Sequence, residues 1–201
     1  MMGELGRSLA GALRLVFLDK TAAARFPADR AGALRSFWVF LALLPGVVAL
    51  DTVERWMGHP LTPLGDGAAL ATIPVARAVP ATLLAYLIGT FGYFLMVERI
   101  LHLQGNGALF PRFIAAFNWS GIVALLVALP LAVLAHSGLL SMPMGAAVMA
   151  VTYFWSLFYE AYVTRAVLGC GWLTATGFVL LDVVVSDLTT TLVHGPLMAV
   201  S

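Results

Sequence analysis

Residues Phe113 to Ala135 read FIAAFNWSGIVALLVALPLAVLA, a run of 23 residues without one Asp, Glu, Lys or Arg. A bilayer's hydrocarbon core is about 30 Å thick and a helix rises about 1.5 Å per residue, so roughly 20 apolar residues in succession are enough to cross it. This stretch therefore reads as a transmembrane helix, and the chain divides outward from it. Ala78 to Val97 is equally free of charge. Met144 to Arg165 and Trp172 to Val193 have the same length and apolarity but carry Glu160, Asp182 and Asp187 inside them. The shortest candidate is Ser36 to Leu50, whose ends borrow length from Arg35 and Asp51 because such side chains extend toward the interfaces.

The expected fold class is all-α: a polytopic bundle of five transmembrane helices preceded by a short amphipathic helix in the interface. Composition agrees, since 61% apolar and 10% charged residues with a mean hydropathy of +0.96 describe a chain whose solvent is lipid. Gly and Pro separate the spans: Pro60, Pro63, Gly65, Gly67 and Pro74, then Gly105, Gly107 and Pro111, then Gly169 and Gly171. Pro45, Pro80 and Pro130 fall inside spans, where a membrane bundle accommodates kinks. Residues 1–30 read as a leader and 31–201 as one five-helix domain.

Charge orients the bundle. Of the 11 Lys and Arg residues, all but Arg55 and Arg77 fall on one side of this pattern. Basic residues in short loops are retained in the cytoplasm, so the N-terminus is expected inside and the C-terminus outside, periplasmic if the membrane is a bacterial inner membrane. With a formal net charge of +1 and its basic residues committed to membrane edges, the chain offers no face for nucleic acid. Glu4 and Arg14 interrupt the leader too early for a cleaved signal peptide. Leu5, Leu9, Leu13, Val16 and Phe17 instead recur at helical spacing, with Arg7, Arg14 and Lys20 available to headgroup phosphates. The alternative is a loosely ordered leader whose basic residues only set topology.

No catalytic motif, cofactor signature or metal-ligand spacing is legible, and an enzyme is not expected. Cys170 is alone, and His59, His102, His136 and His194 are scattered over loops and span ends. Asn118-Trp119-Ser120 has the glycosylation pattern but lies within a span. The aromatic residues Trp38, Trp119, Tyr153, Trp155, Tyr159, Tyr162 and Trp172 read mainly as interfacial anchors.

One constellation carries chemistry. Thr152, Ser156, Glu160 and Thr164 repeat every fourth residue and share a helix face, as do Asp182, Ser186 and Thr189 on the last span. After a tight Gly-rich turn, Glu160 and Asp182 come to similar depths and are expected to face one another, with Arg165 or Arg99 as counter-charge. An unpaired charge at such depth costs at least about 2.5 kcal/mol. Two readings compete: a proton or ligand site built from Glu160, Asp182, Arg165, Ser156, Thr164 and Ser186, or polar glue between helices. Ala81, Ala85 and Gly89 form a small-residue face that lets another helix approach closely.

The loop Gly105-Asn106-Gly107-Ala108-Leu109-Phe110-Pro111-Arg112-Phe113, the stretch Phe158-Tyr159-Glu160-Ala161-Tyr162-Val163-Thr164-Arg165-Ala166-Val167-Leu168-Gly169, and Leu180-Leu181-Asp182 are similar to a known pattern. Over residues 30–193 the chain resembles the YIP-type five-span family of integral membrane proteins, in particular its bacterial relatives. The resemblance implies the five-span fold and its topology and transfers no functional residue. Eukaryotic members act in vesicle traffic through cytosolic segments that contact small GTPases, to which nothing in residues 1–35 corresponds.

Two function classes follow. The first is a non-enzymatic protein acting by association, an accessory subunit or organiser of an inner-membrane assembly with the bilayer, other subunits or itself as partners. The second is a small transporter, channel or lipid-handling protein that uses the Glu160, Asp182 and Arg165 cluster.

Overall fold

A computed structural model describes residues 2–57 and 74–198. The connector containing Pro60, Pro63, Gly65, Gly67 and His59 lies outside the described residues.

In hydrocarbon every backbone N–H and C=O must find its partner within the segment, which leaves the helix as the natural state for these runs. Among the described residues six α-helices result: α1 (Met2–Val16), α2 (Arg30–Met57), α3 (Val75–Leu103), α4 (Phe110–His136), α5 (Met142–Leu168) and α6 (Trp172–Met198). The last five are each long and apolar enough to cross a bilayer, so this is an all-α, multi-pass integral membrane protein with a short N-terminal helix. The first span is longer than its charge-free core suggests. Its apolar crossing segment runs Arg30–Val53 because Arg35 and Asp51 are absorbed near its ends rather than terminating it. All three internal prolines, Pro45, Pro80 and Pro130, are carried within continuous helix.

Contacts run from α2 to α4, α4 to α5, α5 to α6 and α6 to α3, and α3 returns to α2. Aromatic rings make that return, with Phe37 stacked on Phe91 at 5.6 Å and Phe40 on Tyr86 at 5.3 Å between centroids. Tyr93, Phe94, Phe113 and Phe117 fill the interior at the end nearest α1. Outward, large apolar side chains such as Leu95, Leu126, Phe154 and Leu192 are exposed, as suits helices solvated by lipid.

Two local devices fix the basic end. Asp29 caps α2 by accepting from the Gly32 backbone N–H at 2.7 Å. A Cβ on Gly32 would lie 2.2 Å from the Pro27 Cβ, so only glycine lets the chain turn this closely. Between α1 and α2 a 3-10 turn, Lys20–Arg25, is opened by Asp19, whose carboxylate accepts from the Thr21 backbone and hydroxyl. The Thr21 hydroxyl holds the Asp19 carboxyl below its ordinary range.

The leader forms the expected short helix, and it also docks on the bundle. Ser8, Ala12 and Leu15 are buried against the bundle, whereas Leu5, Leu13 and Phe17 of the anticipated apolar stripe are exposed. By the 3.6-residue period, Leu5, Leu9 and Leu13 flank this docking face, and Arg7 and Arg14 lie across the helix from Leu9 and Leu13. The helix thus docks on α4 and α5 with one face and leaves an apolar flank outward. Tyr159 and Tyr162 of α5 hold it, donating to the Ala12 carbonyl (2.8 Å) and the Leu18 carbonyl. These tyrosines and Trp119 are buried core residues rather than interfacial anchors, while Trp38 is 73% exposed.

Candidate functional site

The site begins with a hairpin. Gly169 ends α5 in the left-handed conformation (φ 66°), its N–H returns to the Arg165 carbonyl at 3.0 Å, and α6 starts three residues later. This reversal lays α6 against α5 and brings Asp182 within Coulombic range of Glu160. From α3, Tyr93 lies in the field of both carboxylates and Tyr86 in that of Asp182. Three helices therefore converge on one acidic pair.

Glu160 Oε1 is enclosed and has no hydrogen-bond partner among the described residues. The Tyr93 hydroxyl, the Ser120 hydroxyl and the Thr164 hydroxyl share that condition, on side chains 0%, 6% and 0% exposed. A buried polar group left without a partner costs about 1–3 kcal/mol, more when charged. Of these, the Tyr93 hydroxyl lies in the field of the acidic pair, whereas Ser120 sits on α4 beside Tyr159.

Arg165 is positioned otherwise than the sequence suggested. Its guanidinium lies over the Trp172 ring, 5.0 Å from the centroid, and among the described residues it makes no ion pair with Glu160 or Asp182. Arg99 is exposed at the helix edge, and its neighbour Glu98 pairs with His102 at 3.8 Å one turn along. Within the polar stripe, Thr152 and Ser156 turn back onto their own helix, donating to the Val148 carbonyl (2.8 Å) and the Tyr153 carbonyl (2.7 Å). Their hydroxyls satisfy themselves locally, and Glu160 and Thr164 do not.

Ser186 belongs to a different contact. Ala81, Ala85 and Gly89 are all buried, and a Cβ on Gly89 would come 2.9 Å from the Thr189 Oγ1 and 3.7 Å from the Ser186 Cα. The small-residue face is thus occupied by α6 of the same chain, and Ser186 and Thr189 lie over it. Asp187, on the other side of α6, is exposed.

A cavity of about 250 Å³ lies among α2, α3, α4 and α5, lined among others by Leu43, Tyr86, Leu125, Met149, Thr152 and Ser156 and by neither acid. Ser156 precedes Glu160 by one helical turn, so the apolar cavity approaches the acidic pair along α5. Outside the spans, burial pushes the Cys170 thiol above its ordinary range, against the opposing charge of Arg165.

Two further polar groupings were missed in the sequence. Asn118 donates to Ser36 Oγ at 2.9 Å, and Ser36 donates to the Ala33 carbonyl at 2.6 Å, which ties α4 to the first turns of α2. At the opposite end Thr82 donates to Asp51 at 3.0 Å and sits 3.4 Å from His194 Nε2, joining α2, α3 and α6. Neither pairing has a periodic signature, since each partner is a single residue on a distant helix. No protein-family model, curated protein or solved structure matches this chain.

Proposed function

We propose that this membrane protein is a small transporter in which Glu160 and Asp182 form a proton-binding pair inside the bundle. The observation that carries this reading is the enclosed, unpartnered Glu160 Oε1 in the field of Asp182, with no cation of the described chain beside either acid. Two neighbouring carboxylates share a proton more readily than they hold two charges, and the buried Tyr93 hydroxyl lies in the field of both. The apolar cavity ends at Ser156, one helical turn from Glu160, which would bring a small solute or a lipid tail near the pair. Ionisable groups at this depth mark ion and substrate pathways in membrane proteins generally.

Association as an accessory subunit is the competing reading. Its sequence support was the Ala81, Ala85 and Gly89 face together with the N-terminal helix, and of these the small-residue face is already covered by α6. The experiment is reconstitution into liposomes carrying an imposed pH gradient. Wild type is expected to dissipate the gradient, and Glu160→Gln and Asp182→Asn to remain folded and monodisperse with dissipation reduced at least about tenfold. Variants that fall apart, or flux that ignores both substitutions, would return the pair to a structural role.

Orientation belongs to the same proposal. The nine basic residues at the α1 end support an N-terminus in the cytoplasm and a C-terminus across a bacterial inner membrane. Kinship with the YIP-type five-span family is consistent with the helix count. Reporter fusions at each terminus test the orientation.

A further inference from the structure

A second cavity, about 120 Å³, lies at the basic end where α1 crosses the start of α2. Glu4, Ser8, Arg35, Ser36, Trp38 and Trp119 line it. Arg35 donates to Glu4 through Nε (3.2 Å) and Nη2 (2.9 Å), a two-pronged pair at the cavity wall. Ser8 is 1% exposed, and its Oγ has no hydrogen-bond partner among the described residues. Ser36 Oγ is already engaged by Asn118 and by the Ala33 carbonyl. Ser8 is thus an enclosed hydroxyl in the lining of a cavity that also presents both a cation and an anion.

We propose that this cavity binds the phosphate of a zwitterionic phospholipid headgroup that carries a primary ammonium, a phosphoethanolamine lipid. Each part of the site has a counterpart in such a headgroup. Guanidinium has five N–H donors, and the pair with Glu4 engages only Nε and one on Nη2, so the Nη1 edge and a second Nη2 hydrogen stay available for phosphate oxygens. The Ser8 hydroxyl donates to the same phosphate. Glu4 accepts from the ammonium through its remaining lone pairs, and a small –NH3+ with three donors suits that better than a trimethylated one with none. The Glu4 and Arg35 charges cancel, which matches a headgroup of no net charge and disfavours an anionic lipid beside Glu4.

Size and position agree. At about 30 Å³ per water in the liquid, the cavity holds roughly four waters, enough for a phosphate but not for the glycerol and chains. Those must continue outward along apolar surface, and Leu5 (44% exposed) and Trp38 (73% exposed) provide it. Amphipathic α1, with Leu13 and Phe17 also exposed, keeps this end at the level where headgroups lie.

The test is native mass spectrometry of the delipidated full chain titrated with phosphatidylethanolamine, phosphatidylcholine or phosphatidylglycerol, with inorganic phosphate in a separate arm. Expected is one phosphatidylethanolamine retained at least fivefold more strongly than either other lipid, with inorganic phosphate failing to displace it. Ser8→Ala keeps the ion pair and should weaken retention about tenfold to a hundredfold, the loss of one hydrogen bond to a charged group. Ser8→Leu should abolish retention by filling the cavity. Arg35→Gln should abolish it too, and the two serine variants decide the matter if that protein does not fold. Equal retention of all three lipids, indifference to both serine substitutions, or displacement by inorganic phosphate would each overturn the assignment.

Discussion

The α1 end of the bundle and the junction of α3, α5 and α6 hold comparable numbers of polar groups and treat them in opposite ways. At the α1 end, Glu4 meets Arg35 at 2.9 Å, Arg14 meets Asp19 at 3.6 Å, Asp29 caps α2, and Tyr159 and Tyr162 donate to backbone carbonyls of the leader. The exceptions there and on α4 are Ser8 Oγ, Asn118 Oδ1, Ser120 Oγ and the Nε atoms of Arg112 and Arg165. At the junction, Glu160 Oε1 and the hydroxyls of Tyr93 and Thr164 have no partner among the described residues. Satisfied groups hold a structure together, and removing one loosens it. Unsatisfied groups at depth weaken the fold, which is the ground for proposing a proton site at Glu160 and Asp182.

The largest expected effect breaks the comparison at its deep side. Glu160→Gln and Asp182→Asn should each reduce proton flux at least about tenfold and leave stability unchanged or raised by about 1 kcal/mol, because an isostere removes buried charge. Flux in liposomes and unfolding in detergent, measured on the same preparation, check both halves. Next in size is Gly89→Val. Its side chain must displace Thr189 and the α6 backbone at Ser186, and overpacking of this kind costs about 1–3 kcal/mol, read as a lowered thermal midpoint.

A smaller effect sharpens the satisfied side. Tyr159→Phe removes one hydrogen bond to Ala12, worth about 0.6–1 kcal/mol between membrane helices, and should speed proteolysis within the leader severalfold while flux is retained. The smallest is pH-dependent. Because the Asp19 carboxyl is held below its ordinary range, its stabilisation is present above the unfolded value and lost as pH falls through the folded one. Protection of the Thr21 amide, its exchange rate measured against the intrinsic rate at the same pH, should therefore fall on acidification, with little change between neutral and weakly acidic pH.

Much of the fold is legible in the chain because lipid imposes a simple rule. Charge-free length alone finds the cores of α3 and α4, and four-residue spacing alone puts Ala81, Ala85 and Gly89 on one face. Depth counting from Gly169 also brings Glu160 and Asp182 together. Spacing along one helix says nothing about which other helix it meets. That is why the partner of the Gly89 face, the tethering of α1 by Tyr159 and Tyr162, and the arrival of Tyr93 beside the acids could not be read in advance. Arg165 shows a second limit: proximity in sequence to Glu160 suggested an ion pair, but Trp172, just past the turn, offers its ring to the guanidinium instead. The leader shows a third, since Ser8, Ala12 and Leu15 dock closely on the bundle while Leu5 and Leu13 stay outward.

Infrared titration of the carboxyl bands in the purified, lipid-reconstituted protein tests the central claim most directly, comparing wild type with Glu160→Gln and with Asp182→Asn. If Glu160 and Asp182 act as one proton site, each substitution removes one carboxyl band and moves the titration midpoint of the other. Two bands that titrate independently, each unaffected by loss of the other, would contradict it.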